Sequence, residues 1–350
     1  MSYALLIVES PAKCNKIEKL LGSGYKCVAS FGHIRELKGL ASIDIANNFT
    51  PKYTNMPSKS KQISTIRQMI GNASEVIIAS DDDREGEAIG WHICETFRLP
   101  ISSTKRIVFH EITGTALKRA INNARTLDMN IIYAQQARQI LDVLVGFKIS
   151  PILWDKISYH TSSSLSAGRC QTPALRLVYD NQKELDNNPG RKVYKTTGNF
   201  TKLNIPFTLN YNHSSEESIS TFLEETVNYE HIFNCSQPKQ IIKQPPQPFT
   251  TSTLQQAASN ELKFSPKKTM DMCQKLYESG LITYMRTDSK TYSSEFLDNS
   301  RKKVDEKYGN DYVRDDIESL SERSSDKNKS TENAQEAHEA IRPTDISIEN

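Results

Sequence analysis

The 350 residues carry 44 Lys and Arg against 42 Asp and Glu, a net charge of +2, with 37% hydrophobic and 25% charged residues, 14 Gly and 14 Pro. That composition excludes collagen-like, fibrous and wholly disordered chains, and the length suits about two or three domains. A charge balance so near zero excludes a strongly basic chain, so any phosphate binding has to come from a local patch.

The longest apolar runs, such as ALLIV at 4–8, are far shorter than the roughly 20 residues that cross a bilayer, so no membrane partner is expected. The start MSYALLIVESPAK shows no basic stretch followed by an apolar one, and a cytosolic or nucleoplasmic home is expected. Cys14, Cys27, Cys94, Cys170, Cys235 and Cys273 are scattered without a C-x-x-C pair. Neither a zinc site nor a disulfide framework is therefore expected.

Along the chain, ALLIVE (4–9) and EVIIAS (75–80) read as buried strands, each followed by a helix, about 12–21 and 85–97. Strands alternating with helices predict an α/β layer with a mostly parallel sheet, whose ligands bind beyond the carboxyl ends of the strands. Helical periodicity runs from Thr115 to about Val145, and again over 171–184 after a polar loop. Residues 192–242 read as β-rich, with strand-like pieces VYKTTGNF, IPFTLNY and HIFNC. Pro245, Pro246 and Pro248 mark a hinge. Helices follow over 253–262 and 266–278, the first capped by Thr250, Thr251 and Ser252. The polar stretch 321–333 reads as a mobile loop. Trp91 and Trp154 read as core residues.

The acidic run Asp81-Asp82-Asp83-Arg84-Glu85 sits at a strand-to-helix junction. On an extended segment Asp81, Asp83 and Glu85 point the same way, and hard oxygen ligands so grouped suit Mg²⁺. The competing reading is a solvated acidic first turn favoured by the helix dipole. Glu9 ends the other strand, before the helix start Ser10-Pro11-Ala12-Lys13. Carboxylates held together raise one another's pKa, which fits Glu9 for general acid work, and Lys13 adds a cation at a helix N-terminus. Against this stands a simple surface pair between Glu9 and Lys13. Arg138 and Asp142 share a helix face, and Arg169 and Gln171, after Gly168, form a phosphate-binding corner at a helix start. A Gly-x4-Gly-Lys-Ser/Thr run is missing, so no ATP hydrolysis is expected.

Six stretches in order, LLIVESPAK, ASDDDREGEAIGWH, SAGRCQTPALRLV, TTSTLQQAA, GLITYMRTDS and AHEAIRPT, resemble the successive signatures of type IA DNA topoisomerases, closest to the bacterial topoisomerase I group. The resemblance implies a Toprim-type α/β domain at 1–125 and a helical DNA-binding base segment at 126–187. It further implies the first half of a β-rich arch at 188–247 and a mainly helical domain with the nucleophile at 248–350. It implies that Tyr284 attacks a backbone phosphorus and keeps the 5′ end while the 3′-hydroxyl leaves. Arg286 would assist this phenol, whose ordinary pKa of about 10 leaves it poorly ionised. Asp288 and Ser289 would hold the arginine and the strand end. His338 would lie near the scissile phosphate, with Arg342 on the DNA one turn on. The pair Arg138 and Asp142 would touch DNA beside the cut. Glu9, Asp81, Asp83 and Glu85 would hold Mg²⁺, and the partner would be single-stranded or underwound DNA. His33 and His92 fall within resembling stretches, although packing explains them equally. The family's returning arch segments have no counterpart before Asn350, so an incomplete ring is expected, with cleavage residues present and strand passage weak. Two other classes stay open: a Toprim nuclease or primase-like enzyme working without a tyrosine intermediate, and a non-catalytic nucleic-acid-binding remnant.

Overall fold

The computed structural model describes residues 3–157, 165–241, 243, 245–313, 316–320 and 339–347. In chain order they form β1 (Ala4–Val8), α1 (Pro11–Leu21), β2 (Tyr25–Ala29) and the two-residue strands β3 (Arg35–Glu36), β4 (Ile43–Asp44), β5 (Thr50–Pro51) and β6 (Thr54–Asn55). There follow α2 (Ser60–Gly71), β7 (Glu75–Ile78), α3 (Arg84–Phe97), β8 (Lys105–Arg106), α4 (Gly114–Asn122) and α5 (Met129–Lys156). Next come α6 (Gln171–Asn187), β9 (Tyr194–Phe200), β10 (Ile205–His213), α7 (Glu216–Thr226), α8 (Thr251–Leu262), α9 (Pro266–Glu278) and α10 (Ser294–Tyr308). The chain packs as two units, one of residues 1–151 with 245–350 and one of residues 152–244.

The first unit is built on a four-stranded parallel sheet of order β2-β1-β7-β8, with Leu6 opposite Cys27 and Ile77. Leu5, Leu6, Ile7 and Val8 of β1 are all fully buried because both sheet faces are covered, which is why this strand reads as a continuous apolar run. Each such side chain contributes about 1.5–3 kcal/mol of transfer free energy. Leu5 and Ile7 face Ile63 and Ile66 of α2 and Ile89 and Ile93 of α3. Leu6 and Val8 face the opposite way, into a cluster with Ile17 of α1, Leu117 of α4, and Cys273, Tyr277, Tyr284, Met285 and Ile341. Burial of that second face carries the tyrosine segment onto the sheet.

Local chemistry starts the helices where the sequence suggests. Ser10 caps α1 by accepting from the Ala12 N–H, with Pro11 at the first helical position. Thr250 and Thr253 form a reciprocal capping box on α8, and Ser265 caps α9 ahead of Pro266. Helix α5 continues beyond the expected end near Val145 to Lys156 and takes Pro151 inside it.

The second unit contains α6, the antiparallel pair β9–β10 and α7. Here three expectations fail. HIFNC at 231–235 is not a strand: among the described residues it pairs with none, and Ile232 is 81% exposed. Residues 216–226 are instead a helix, capped by Ser215 accepting from the Ser218 N–H, with Glu216 and Glu217 in its first turn. Trp154, expected in a core, is 46% exposed. The stretch 321–333 lies outside the described residues.

Candidate active site

Two loops meet at the carboxyl ends of β1 and β7. After β1 comes Glu9, whose Oε1 accepts the Asp81 N–H at 3.0 Å. Lys13, in the first turn of α1, is fully buried; its ammonium donates to the Asp81 carboxylate and lies over the Tyr277 ring, 4.8 Å from the centroid. The surface pair between Glu9 and Lys13 is therefore not what forms.

After β7 the chain bends at Asp82 and Asp83, and Asp83, its own backbone extended, caps α3 by accepting the Gly86 N–H at 2.8 Å. Gly86 is required there, since a Cβ would stand 2.1 Å from the Asp81 carbonyl oxygen. Beneath the loop lies Arg106, fully buried and paired with Glu87 at 3.0 Å. It donates to the carbonyls of Ser80 at 2.7 Å and Asp81 at 2.8 Å, a brace that sequence spacing did not suggest.

The nucleophile candidate arrives from the far end of the chain. Tyr284 is 2% exposed, its hydroxyl donates to Asp83 Oδ2 at 2.6 Å, and its N–H donates to the His110 carbonyl at 2.8 Å. Arg286 stands 3.3 Å from the same Asp83 oxygen. Burial first, then the charges of Asp83 and Asp81, push the phenol well above its ordinary value. Burial opposes the charge of Arg286, but Tyr284, Asp83, Asp81 and Glu9 outweigh it and raise its pKa. Burial, then repulsion from Asp81, lifts Glu9 to about 7, against the pull of Lys13.

Glu85 corrects the alternation argument. The chain turns helical at Arg84, so successive side chains rotate by about 100° instead of 180°. Glu85 consequently points to His33 Nε2 at 3.0 Å, Gln135 Nε2 at 3.1 Å and Arg138 at 3.9 Å. The hydrogen bond from His33, helped by Gln135 and Arg138, holds it below the usual carboxylate range. Among the described residues no three His, Cys, Asp or Glu side chains gather as a metal cluster. Glu9, Asp81 and Asp83 nevertheless fit a hard divalent cation in donor chemistry, being all carboxylate oxygen, and the raised Glu9 marks a place short of positive charge.

Beside Asp83 opens a cleft of about 400 Å³, lined by Arg84, Glu85, Arg138, Arg286, Asp288 and the α8 start at Thr250–Ser252, among others. Three guanidiniums and a helix N-terminus make it suited to a phosphodiester. Asp142 lies one turn beyond Arg138 on α5 and is exposed. Ser289 bonds locally, its hydroxyl 2.9 Å from that of Thr291. Arg169 and Gln171 belong to the second unit, where Gln171 Nε2 donates to Ser166 Oγ at 3.0 Å. His338 lies outside the described residues.

Arg342 is not presented to a nucleic acid. It is buried, bidentate to Glu339 at 2.6 and 2.8 Å, 3.2 Å from Glu111 and stacked 4.2 Å from the Phe296 centroid, so two carboxylates occupy the fork expected for phosphate. Sequence reasoning left His33 and His92 between packing and function and set His110 aside. His33 holds Glu85, His92 is fully buried, and the His110 Nε2 lies 2.7 Å from Asp82 Oδ2. Their spacing carries no signal, because each partner is distant in the chain.

Residues 126–350 match the family described as DNA topoisomerase, and residues 4–112 match the Toprim domain. Among solved structures, the chain is similar to full-length topoisomerase I from Thermotoga maritima in a monoclinic crystal form. Identity is 34%, the TM-score is 0.75, and the match covers 98% of this chain and 55% of that one. The chain thus spans about half the length of that relative.

Proposed function

Given that this chain belongs to the type IA DNA topoisomerase family, we propose that it cleaves one DNA strand through a 5′-phosphotyrosyl link at Tyr284 and reseals it without ATP. The observation carrying this reading is the hydroxyl of Tyr284 on Asp83, 201 residues away in sequence, with Arg286 against the same oxygen.

In the forward step the Tyr284 oxygen bonds to phosphorus and the bond from phosphorus to the 3′-oxygen breaks. The phenolic proton has an acceptor in Asp83, and the departing 3′-oxygen takes a proton, for which Glu9 near pKa 7 is matched. Arg286 stays beside the phenol and balances charge as it develops. Religation runs the same steps backwards, so a phosphodiester is exchanged for a phosphotyrosyl ester and no nucleotide is consumed.

Toprim domains in general bind divalent metal. Here Glu9, Asp81 and Asp83 would hold Mg²⁺, which when bound neutralises the carboxylates beside the DNA phosphate. Single-stranded or underwound DNA would lie in the Arg84–Arg138–Arg286 cleft with a phosphate at the α8 N-terminus. In this reading 1–125, 126–187, 188–247 and 248–350 divide the work as Toprim domain, base, arch and tyrosine domain. Among the described residues no helix is long and apolar enough to cross a membrane. We place the protein with DNA in the cytoplasm.

The test is covalent capture. The chain, incubated with a 3′-end-labelled single-stranded oligonucleotide and denatured, is expected to carry the labelled fragment downstream of the cut through its 5′ phosphate, and Tyr284→Phe to carry none. A Tyr284→Phe variant that still cuts would point to a nuclease. Binding without any adduct would leave a non-catalytic DNA-binding module.

A further inference from the structure

We propose that Asp82 and His110 form a positioning pair that seats the Tyr284 strand over the acidic loop; this rests on the cleavage reading above. Asp82 stands between Asp81 and Asp83 with its side chain 9% exposed, and its Oδ2 is 2.7 Å from His110 Nε2. An ionised carboxylate only accepts, so Nε2 carries the proton and donates it into this bond. The same residue turns its main-chain carbonyl to the other side of the junction, where it accepts the Tyr284 N–H at 2.8 Å. One residue earlier, the Phe109 carbonyl accepts the Tyr277 hydroxyl at 3.4 Å, and two residues before that, the Ile107 N–H is fixed to the Ile78 carbonyl of β7 at 2.9 Å.

The segment 107–110 is therefore a splint. One edge is tied to β7 and the acidic loop, the other to the residue that attacks DNA. Losing the imidazole frees the His110 end from the loop and lets the Tyr284 backbone drift relative to Asp83. A drift of about 1 Å costs on the order of 100-fold in rate when a nucleophile must be aligned. His110 lines a different cavity, of about 330 Å³ with Glu111, Arg119 and Arg342, and that cavity shares no lining residue with the cleft at Asp83 and Arg286. Its influence on the chemistry runs through Tyr284, not through contact with DNA.

The experiment is single-turnover cleavage of a labelled oligonucleotide by the 350-residue chain, with binding measured in parallel by anisotropy. His110→Ala and Asp82→Ala should each slow adduct formation by roughly 10- to 100-fold while the dissociation constant stays within about twofold. The double variant should be no slower than either single one, since both remove one bond. His110→Gln, whose amide places a donor near the Nε2 position, should recover most of the rate, as should Asp82→Asn, which still accepts. Multiplying defects in the double variant, no recovery with either conservative variant, or a loss of affinity matching the loss of rate would overturn the pair's role. If an alanine variant unfolds, the two conservative variants carry the test, and full loss of rate in both refutes it. An unaltered chain that forms no adduct sinks the cleavage reading and this inference with it. An unaltered chain that cuts, with all variants equally fast, sinks this inference alone.

Discussion

A phenol hydrogen-bonded to one carboxylate, with a second carboxylate nearby that is half-protonated at neutral pH, sets up two proton inventories in one site. Glu9 titrates at about 7, raised by burial and Asp81. As the proton donor to the 3′-oxygen it is competent below that value, so the cleavage rate should fall as pH rises through 7. Glu9→Gln should be slower at pH 6 and lack that limb; an unchanged limb in the variant would assign it elsewhere. His92 works on stability. Burial, before all else, lowers its pKa from 6.5 to about 3. Between those values the unfolded chain binds a proton that the folded one refuses, so stability is lost as pH falls below 6.5. The slope is about 1.4 kcal/mol per pH unit. Melting temperatures between pH 6.5 and 4 should drop less steeply for His92→Phe, and parallel curves would refute the assignment. The raised Glu9 was legible from its place beside the acidic run, whereas His92 was not: it reads as one polar residue in GWH, and its burial depends on α3 packing against the far sheet face.

At the level of elements, the strongest local signals were read correctly, while weaker local periodicity and features that need a partner were not. The β1 and β7 runs, the Ser10-Pro11 start of α1 and the Thr250 cap of α8 each announce themselves within a few residues. The failures have separate causes. HIFNC has strand-like residues but finds no neighbour to pair with, while the Ile219, Phe222 and Leu223 spacing of α7 was lost among β-like surroundings. Glu85 was placed by the strand period, although the period changes at Arg84. That change depends on Gly86, which leaves room for the Asp81 carbonyl. Gly86→Ala should therefore destabilise the fold by about 1–3 kcal/mol and abolish adduct formation, since the carbonyl that must yield belongs to the acidic loop. Gly146, inside α5 with open space where a side chain would stand, supplies the control. Gly146→Ala should stabilise by about 0.5–1 kcal/mol through helix propensity alone. Thermal melts of the two variants shifting together would show that the close approach at Gly86 is not what constrains that residue.

For the molecule as a whole, cutting and passing a strand make different demands. Glu9, Lys13, Asp81, Asp83, Tyr284 and Arg286 all lie in the unit formed by 1–151 and 245–350, and the face of the sheet that carries Leu6 and Val8 holds the tyrosine segment in place. In the proposed reading, cleavage and resealing would thus fall to one packed body. Strand passage needs the cut ends to be held apart and a second strand to be enclosed, and the topoisomerase I relative has nearly twice this length. Within the second unit Leu175, Leu177 and Val178 of α6 are each more than 60% exposed, and an apolar surface of that kind calls for a covering partner. The 350-residue chain should accordingly form the Tyr284 adduct on single strands yet leave negatively supercoiled plasmid unrelaxed in the presence of Mg²⁺. Gel electrophoresis of plasmid topoisomers beside the adduct assay separates the two. Complete relaxation by this chain would mean that the packed unit and its 152–244 partner suffice to gate DNA, and that the extra length of the relative serves some other purpose.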